Sequence, residues 1–223
     1  MNRLARAGGA IASGLALALC YAPFQQSWLV WGWLWILLPL LWTVSGKRKR
    51  LKGFGLAYLS GLAFWLINVK WVWTVTGLGA LVMAGYFSVY FGIFGAFAAV
   101  AGNPWREKTP LARSVPQRFR EMGRSLGFAV VLGGFWCGME WIRGWMLTGF
   151  GWNGLGVAFS KSLMLAQNAE FVGVIGLAFL PVFLSAVVVQ VGCRFYQQSI
   201  IGGVKMLHWD FASALLVVMG AFT

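Results

Sequence analysis

The chain has little charge, few acidic residues and almost no histidine. Only 10% of its 223 residues are charged, and five are Asp or Glu. Soluble domains usually carry about 25% charged residues, so the composition argues against a soluble protein. With one histidine, His208, near Asp210, we expect neither a metal site nor a Ser-His-Asp triad, and we predict no cofactor.

Cysteine is scarce as well. Cys20, Cys137 and Cys193 are isolated, without a C-x-x-C spacing. Their spacing supports neither a zinc site nor a disulfide framework, and buried small apolar side chains are expected instead. Cys137 lies three residues before Glu140 but is expected to be buried in the middle of a membrane span without a convincingly placed base, so we do not predict a nucleophile there.

What the chain has in abundance is apolar sequence. Hydrophobic residues make up 60% of it, and apolar stretches of about 20 residues recur, each long enough to cross a hydrocarbon core of about 30 Å. This predicts an all-α, polytopic membrane bundle of about seven transmembrane helices. The predicted spans are about 9–24, 28–45, 53–76, 78–101, 126–147 and 166–191, with a seventh from about 211 to Thr223.

The basic residues predict the orientation of these spans. Fifteen of the eighteen lie in segments 3–6, 47–52, 106–124 and 194–205, which fall on one side if the N-terminus is cytoplasmic. The formal net charge of +13 therefore reflects membrane topology, with anionic lipid headgroups as the expected partner. We exclude nucleic acid, since no folded polar domain gathers these charges.

Two consequences follow from this topology. The loop 148–165 and the end of the seventh span should face the outside. The seventh span has only about 13 apolar-rich residues, short of a full crossing, so the chain is expected to be truncated within or just after it. Loop 102–124, with three prolines, should be irregular or partly helical along the cytoplasmic surface.

Glu140 and Arg143 are the main candidates for chemistry. Three residues apart on a helix, they share one face and can pair, and charges at membrane depth are rare because they are costly. One interpretation is an internal ion pair that positions the helix. The other is that Arg143 holds a lipid phosphate, or that the pair shapes a headgroup pocket.

Other candidates lie near the same predicted membrane interface. Trp145 and Trp152 are typical of the interfacial aromatic belt, and Asn153 lies in a glycine-rich segment, 148–154, that permits tight turns. Lys70 either extends its charge to the interface or faces the same cavity as Arg143, with Trp71 beside it. We take these residues as the candidate rim of a lipid headgroup or acceptor site.

The segment 140–156 reads Glu-Trp-Ile-Arg-Gly-Trp-Met-Leu-Thr-Gly-Phe-Gly-Trp-Asn-Gly-Leu-Gly and resembles the hallmark of the apolipoprotein N-acyltransferase membrane domain. Ala22-Pro23-Phe24, the glycine-rich span ending at Trp71 and the 167–176 segment with its Gly-Val-Ile-Gly run resemble the family in the same order. Gly151 and Ala178 stand where the family usually has proline and serine.

The resemblance implies that residues 1–223 form the N-terminal transmembrane domain of such an enzyme in a bacterial inner membrane, ending on the periplasmic side. The family transfers an acyl chain from a phospholipid to the α-amino group of diacylglyceryl-cysteine in a lipoprotein. It does so with a Glu-Lys-Cys set in a nitrilase-like domain, which is expected downstream or separately encoded. We therefore assign no catalytic residue here, and expect the chain alone to be inactive.

Two other functions are compatible with the sequence. A non-catalytic lipid-binding module, or an inactive fragment, would keep the membrane helices without the reaction. A transporter would require broken or polar helices near the bilayer midplane, and few polar residues lie in the middle of the predicted spans.

Overall fold

The regular structure is helical. The computed structural model describes residues 2–106, 115–201 and 209–222, which leaves His208 outside the described ranges together with Lys108, Arg113 and Lys205. All regular elements within these ranges are helices, which confirms the all-α prediction. The α-helices are α1 (Arg3–Ala18), α2 (Trp33–Trp42), α3 (Lys49–Asn68), α4 (Gly77–Ala98), α5 (Val115–Arg143), α6 (Leu163–Gln167), α7 (Ala169–Leu177), α8 (Phe179–Ile201) and α9 (Trp209–Gly220).

Short 3₁₀ helices connect several of them. They are Ser27–Trp31, Lys70–Thr74, Pro104–Arg106, Met146–Thr148 and Leu155–Phe159.

Three helices in the described ranges are long and apolar enough to cross a membrane. They are Gly77–Ala98, Val115–Arg143 and Phe179–Gln197, and the apolar segments Ser27–Trp42 and Trp209–Gly220 are shorter. The chain is therefore a helical protein with membrane-like spans, and the count of seven stays a prediction.

Several predicted spans have the wrong bounds: α1 covers 3–18 rather than 9–24 and α3 ends at 68 rather than 76, and the fifth and sixth spans differ most. The fifth helix begins at Val115 rather than near 126 and ends at Arg143, so residues 115–124 of the expected loop are helical. The sixth span is divided into α6, α7 and α8, with breaks at Asn168 and Ala178, and Gly173 adds a kink within α7 because its φ is +69°. The membrane-length part starts at Phe179, not near 166.

Glycine and alanine let α3 and α4 pack very closely. A Cβ on Gly53 would lie 2.7 Å from the carbonyl oxygen of Gly95, and one on Gly95 would lie 2.2 Å from the Cβ of Ala57. Helix α1 meets α3 in the same way, since a Cβ on Gly14 would lie 2.0 Å from the Ser60 oxygen. Small residues at such contacts allow the backbones to approach, which drives helix association in lipid.

An aromatic cluster fills the centre of the bundle. The Trp136 ring of α5 lies 5.1 Å from Trp33, 5.1 Å from Phe91 and 5.0 Å from Phe94, all in edge-to-face geometry. Such pairs contribute beyond their burial because ring edges meet ring faces. The cluster joins α2, α4 and α5 and fixes the rotation of α5 about its axis.

Substituting Gly95 with alanine should destabilise the bundle. The new methyl group would overlap Ala57 and the Gly53 carbonyl, and overpacking typically costs about 1–3 kcal/mol. Thermal unfolding of the purified chain in detergent measures the effect. The matched control is Gly55→Ala, since a Cβ on Gly55 of α3 has no atom within 4 Å; equal unfolding midpoints for both variants would contradict the close-packing account.

Candidate functional site

The α5–α6 loop, residues 144–162, folds back over one end of the bundle, which we call the pocket end. The Tyr21 hydroxyl, just beyond α1, donates to the Gly154 carbonyl at 3.1 Å. The Asn153 amide donates to Asn68 Oδ1, at the end of α3, at 2.7 Å. The loop is thereby attached to two helix ends distant in sequence.

The loop depends on left-handed backbone conformations. Leu147 has φ +49°, Gly149 +77° and Asn153 +47°. Asn tolerates the left-handed region and Gly adopts it without a steric penalty, whereas a bulky residue such as Leu is rare there. A Cβ on Gly149 would also lie 2.2 Å from the Gly144 oxygen, so the turn closes only with glycine at this position.

Arg143 holds the loop through its backbone. Its Nη1 donates to the carbonyl oxygens of Phe150 and Trp152, both at 2.8 Å, and its guanidinium lies 5.1 Å from the centre of the Trp65 ring. The residue is only 5% exposed. Charge-assisted hydrogen bonds and the cation–π contact together compensate for burying a cation.

Glu140 holds the next part of the loop. Its Oε1 accepts from Trp136 Nε1 at 2.9 Å and from the Leu155 amide at 2.7 Å. Within the described part of the chain Glu140 and Arg143 form no direct ion pair, because each binds the loop instead. A Cβ on Gly154 would lie 3.2 Å from Glu140 Oε2 and 3.8 Å from Arg143 Nη2, so this glycine sits between the two charged groups.

A pocket opens beside these residues. It contains about 380 Å³ of space not filled by protein atoms, part of it continuous with the surroundings. Its wall is mostly aromatic, with Glu140, Arg143 and Asn153 as the polar contributors. The aromatic lining residues are Tyr21, Phe64, Trp65, Phe87, Tyr90, Phe91 and Trp136.

The other four predicted site residues lie outside the pocket, at what we call the rim: Lys70, Trp71, Trp145 and Trp152. The rings of Trp71 and Trp152 are 5.8 Å apart, and both are about half exposed. Trp145 is exposed and packs on Trp141 at 5.5 Å. Lys70 is exposed. The structure thus brings Trp71 and Trp152 together, and the ligand of pocket and rim stays a prediction.

Sequence reasoning missed Tyr21, Tyr90 and Trp136 as parts of the site. Tyr86 and Tyr90 share a 2.7 Å hydrogen bond between their hydroxyls, and their four-residue spacing on one helix face was the available signal. Tyr21 and Trp136 had no distinguishing pattern among the many aromatics. No group of three or more possible metal ligands occurs among the described residues.

Residues 13–187 match the sequence profile of the apolipoprotein N-acyltransferase N-terminal domain. The chain belongs to this family. It is 30% identical over 186 residues to the apolipoprotein N-acyltransferase of Geobacter metallireducens, covering 82% of this chain and 32% of that protein. The Vibrio cholerae enzyme of the same name is 30% identical over 184 residues, covering 78% and 32%. The chain thus matches about a third of the length of these family members.

Replacing Arg143 with glutamine should loosen the α5–α6 loop. The variant loses the charge that strengthens two hydrogen bonds to carbonyls, and a loss of about 2 kcal/mol in all should accelerate amide exchange across residues 149–157 about 30-fold. Hydrogen–deuterium exchange with mass spectrometry measures this. The control is Lys161→Gln, which removes an exposed cation of the same loop. Unchanged amide exchange in Arg143→Gln would contradict the role of Arg143 in holding the loop.

Proposed function

We propose that this chain is the membrane part of an enzyme that transfers an acyl chain from a phospholipid to the N-terminal amine of diacylglyceryl-cysteine in a lipoprotein. The observation that carries the proposal is the family match over residues 13–187. That range contains every lining residue of the pocket and all four rim residues. The match therefore includes the whole candidate site.

The geometry supports a role in positioning lipid. The pocket wall is aromatic and suits an apolar chain or glyceryl group, while the exposed Trp71 and Trp152 are residues that favour the membrane interface. Arg143 already binds two loop carbonyls, so we assign it to shaping the pocket. In this proposal the exposed Lys70 contacts the headgroup phosphate, and Glu140 with Asn153 keeps the loop in place.

The chemistry belongs to a nitrilase-like domain in this proposal. A cysteine thiolate attacks the phospholipid ester, giving a thioester and a lysophospholipid whose alkoxide takes up a proton. The lipoprotein amine then attacks the thioester and releases one proton, forming an amide as the carbon–sulfur bond breaks and the thiolate returns. A thiolate is a good nucleophile and a thioester a good acyl donor. This chain supplies no catalytic residue and instead holds donor and acceptor near the reacting groups.

The proposal also fixes location and orientation. The chain would lie in the bacterial inner membrane with its N-terminus in the cytoplasm and the pocket end at the periplasmic face. The grouping of basic residues in alternate loops supports this orientation.

Complementation tests the proposal. Cells depleted of their own N-acyltransferase would express this chain alone or joined after Thr223 to a nitrilase-like domain, with a reporter lipoprotein analysed by mass spectrometry. We expect triacylated reporter only with the fusion. Reporter triacylated by the chain alone would show that the chemistry was assigned to the wrong domain. No product from either stably inserted protein would favour the alternative, a non-catalytic lipid-binding module.

Within the active fusion, Trp152→Ala should slow acylation. The variant removes the ring that packs on Trp71 while leaving the carbonyl that Arg143 binds, and the aromatic contact is worth about 1 kcal/mol, or about fivefold in rate. Trp209→Ala is the matched control, because Trp209 of α9 is equally exposed, at 55% against 54% for Trp152, but lies outside the rim. An equal effect of both substitutions on the acylation rate would contradict a specific role for the rim.

A further inference from the structure

A second polar feature lies far from the pocket, where α1 and α3 begin. The Arg6 guanidinium donates to the Thr43 carbonyl at 3.3 Å, and the Lys52 ammonium donates to Ser45 at 3.0 Å. These contacts bring the start of α1 against the α2–α3 loop. The cations gathered there form what we call the basic patch: Arg3, Arg6, Lys47, Arg48, Lys49, Arg50 and Lys52.

The basic patch has no acid in its own part of the sequence. Residues 1–106 contain neither Asp nor Glu. Elsewhere, Asp210 pairs with Arg194, and Glu140 is bound inside the pocket end. Five of the seven cations are exposed and the other two are partly exposed. No carboxylate within residues 1–106 is therefore present to balance their mutual repulsion.

The dipoles of α1 and α3 add to the electrostatic repulsion within the basic patch. The first turns of α1 and α3 contain no acidic residue and instead carry cations of the patch. The N-terminal end of a helix is its positive pole, so cations there are the unfavourable sign. The arrangement is electrostatically costly for the isolated chain, and an external anion would remove that cost.

The position of the basic patch in the bundle indicates what kind of anion would bind to it. Helix α3 begins in the patch and has 20 residues, which correspond to about 30 Å, the thickness of a bilayer's hydrocarbon core. Its other end, at Phe64 and Trp65, lines the pocket. Lys49 of the patch and Trp65 of the pocket are 16 residues apart on α3, about 24 Å, so patch and pocket lie toward opposite faces of the membrane. Leu4 and Leu51, beside the cations, are 82% and 63% exposed, as expected for side chains that enter the acyl region below headgroups.

We propose that the basic patch binds anionic phospholipid headgroups at the membrane face opposite the pocket end. Lys and Arg side chains bind phosphate oxygens, and the two exposed leucines contact the upper acyl chains. The bound lipid neutralises the two helix starts and holds α1, α2 and α3 at a fixed depth. This lipid is structural, and its site shares no residue with the pocket or the rim.

Lipid binding to the purified full chain tests the proposal. Native mass spectrometry in uncharged detergent would follow phosphatidylglycerol and phosphatidylcholine titrated separately. Each cation near an anionic surface changes binding about fivefold, so Lys47→Gln/Arg50→Gln should weaken phosphatidylglycerol binding tenfold or more and leave phosphatidylcholine unchanged. Raising the salt concentration should weaken wild-type binding of phosphatidylglycerol in the same way, since exposed charges are screened.

The matched control is Arg120→Gln/Lys161→Gln, which removes two exposed cations outside both the patch and the rim. Equal loss of phosphatidylglycerol binding in both double variants, or equal wild-type affinity for the two lipids, would overturn the proposal. Thermal unfolding in the same detergent verifies that the variants fold. If the double variant does not fold, Lys47→Gln in the exposed loop decides, with about a fivefold loss expected.

Discussion

A bundle surrounded by lipid has no water in its interior, so a charged group that enters it must find its partners within the protein. Arg143 meets this constraint by binding two carbonyls of the loop that follows it. Those carbonyls, folded inward, need a donor just as much as the guanidinium needs acceptors. The path of the loop, the shape of the pocket and the placement of Trp152 at its mouth all depend on this mutual satisfaction.

Close packing of the helices makes the pocket wall possible. The glycines of α3 and α4 bring the two backbones together near the start of α3 and the end of α4. Further along the same helix pair, Trp65 and Phe87 meet at 4.9 Å beside the pocket, and Phe150 of the loop stacks on Phe87 at 4.6 Å. Small residues where the two backbones approach and large ones where the pocket lies are two parts of one packing arrangement.

Sequence reasoning predicted the helical class and the family, and it singled out Glu140 and Arg143, which line the pocket. It could not predict their partners, because a three-residue spacing favours an ion pair and only the tertiary fold brings the Leu155 amide and the Trp152 carbonyl within reach. The contact between Tyr21 and Gly154 spans 133 residues and leaves no periodic signal. The divided sixth span was missed because its breaks at Asn168 and Ala178, and its kink at Gly173, depend on backbone conformation rather than on overall composition.

Trp136 belongs to two parts of the molecule at once. Its ring is the centre of the aromatic cluster, and its indole N–H binds the carboxylate that holds the loop. A disturbance that shifts the ring within the cluster therefore moves Glu140 as well. Substitutions deep among Trp33, Phe91 and Phe94 would consequently be recovered in a genetic screen as loss-of-function alleles, since each of these rings packs on Trp136. Changes in the core of this protein are therefore expected to alter the candidate site as well.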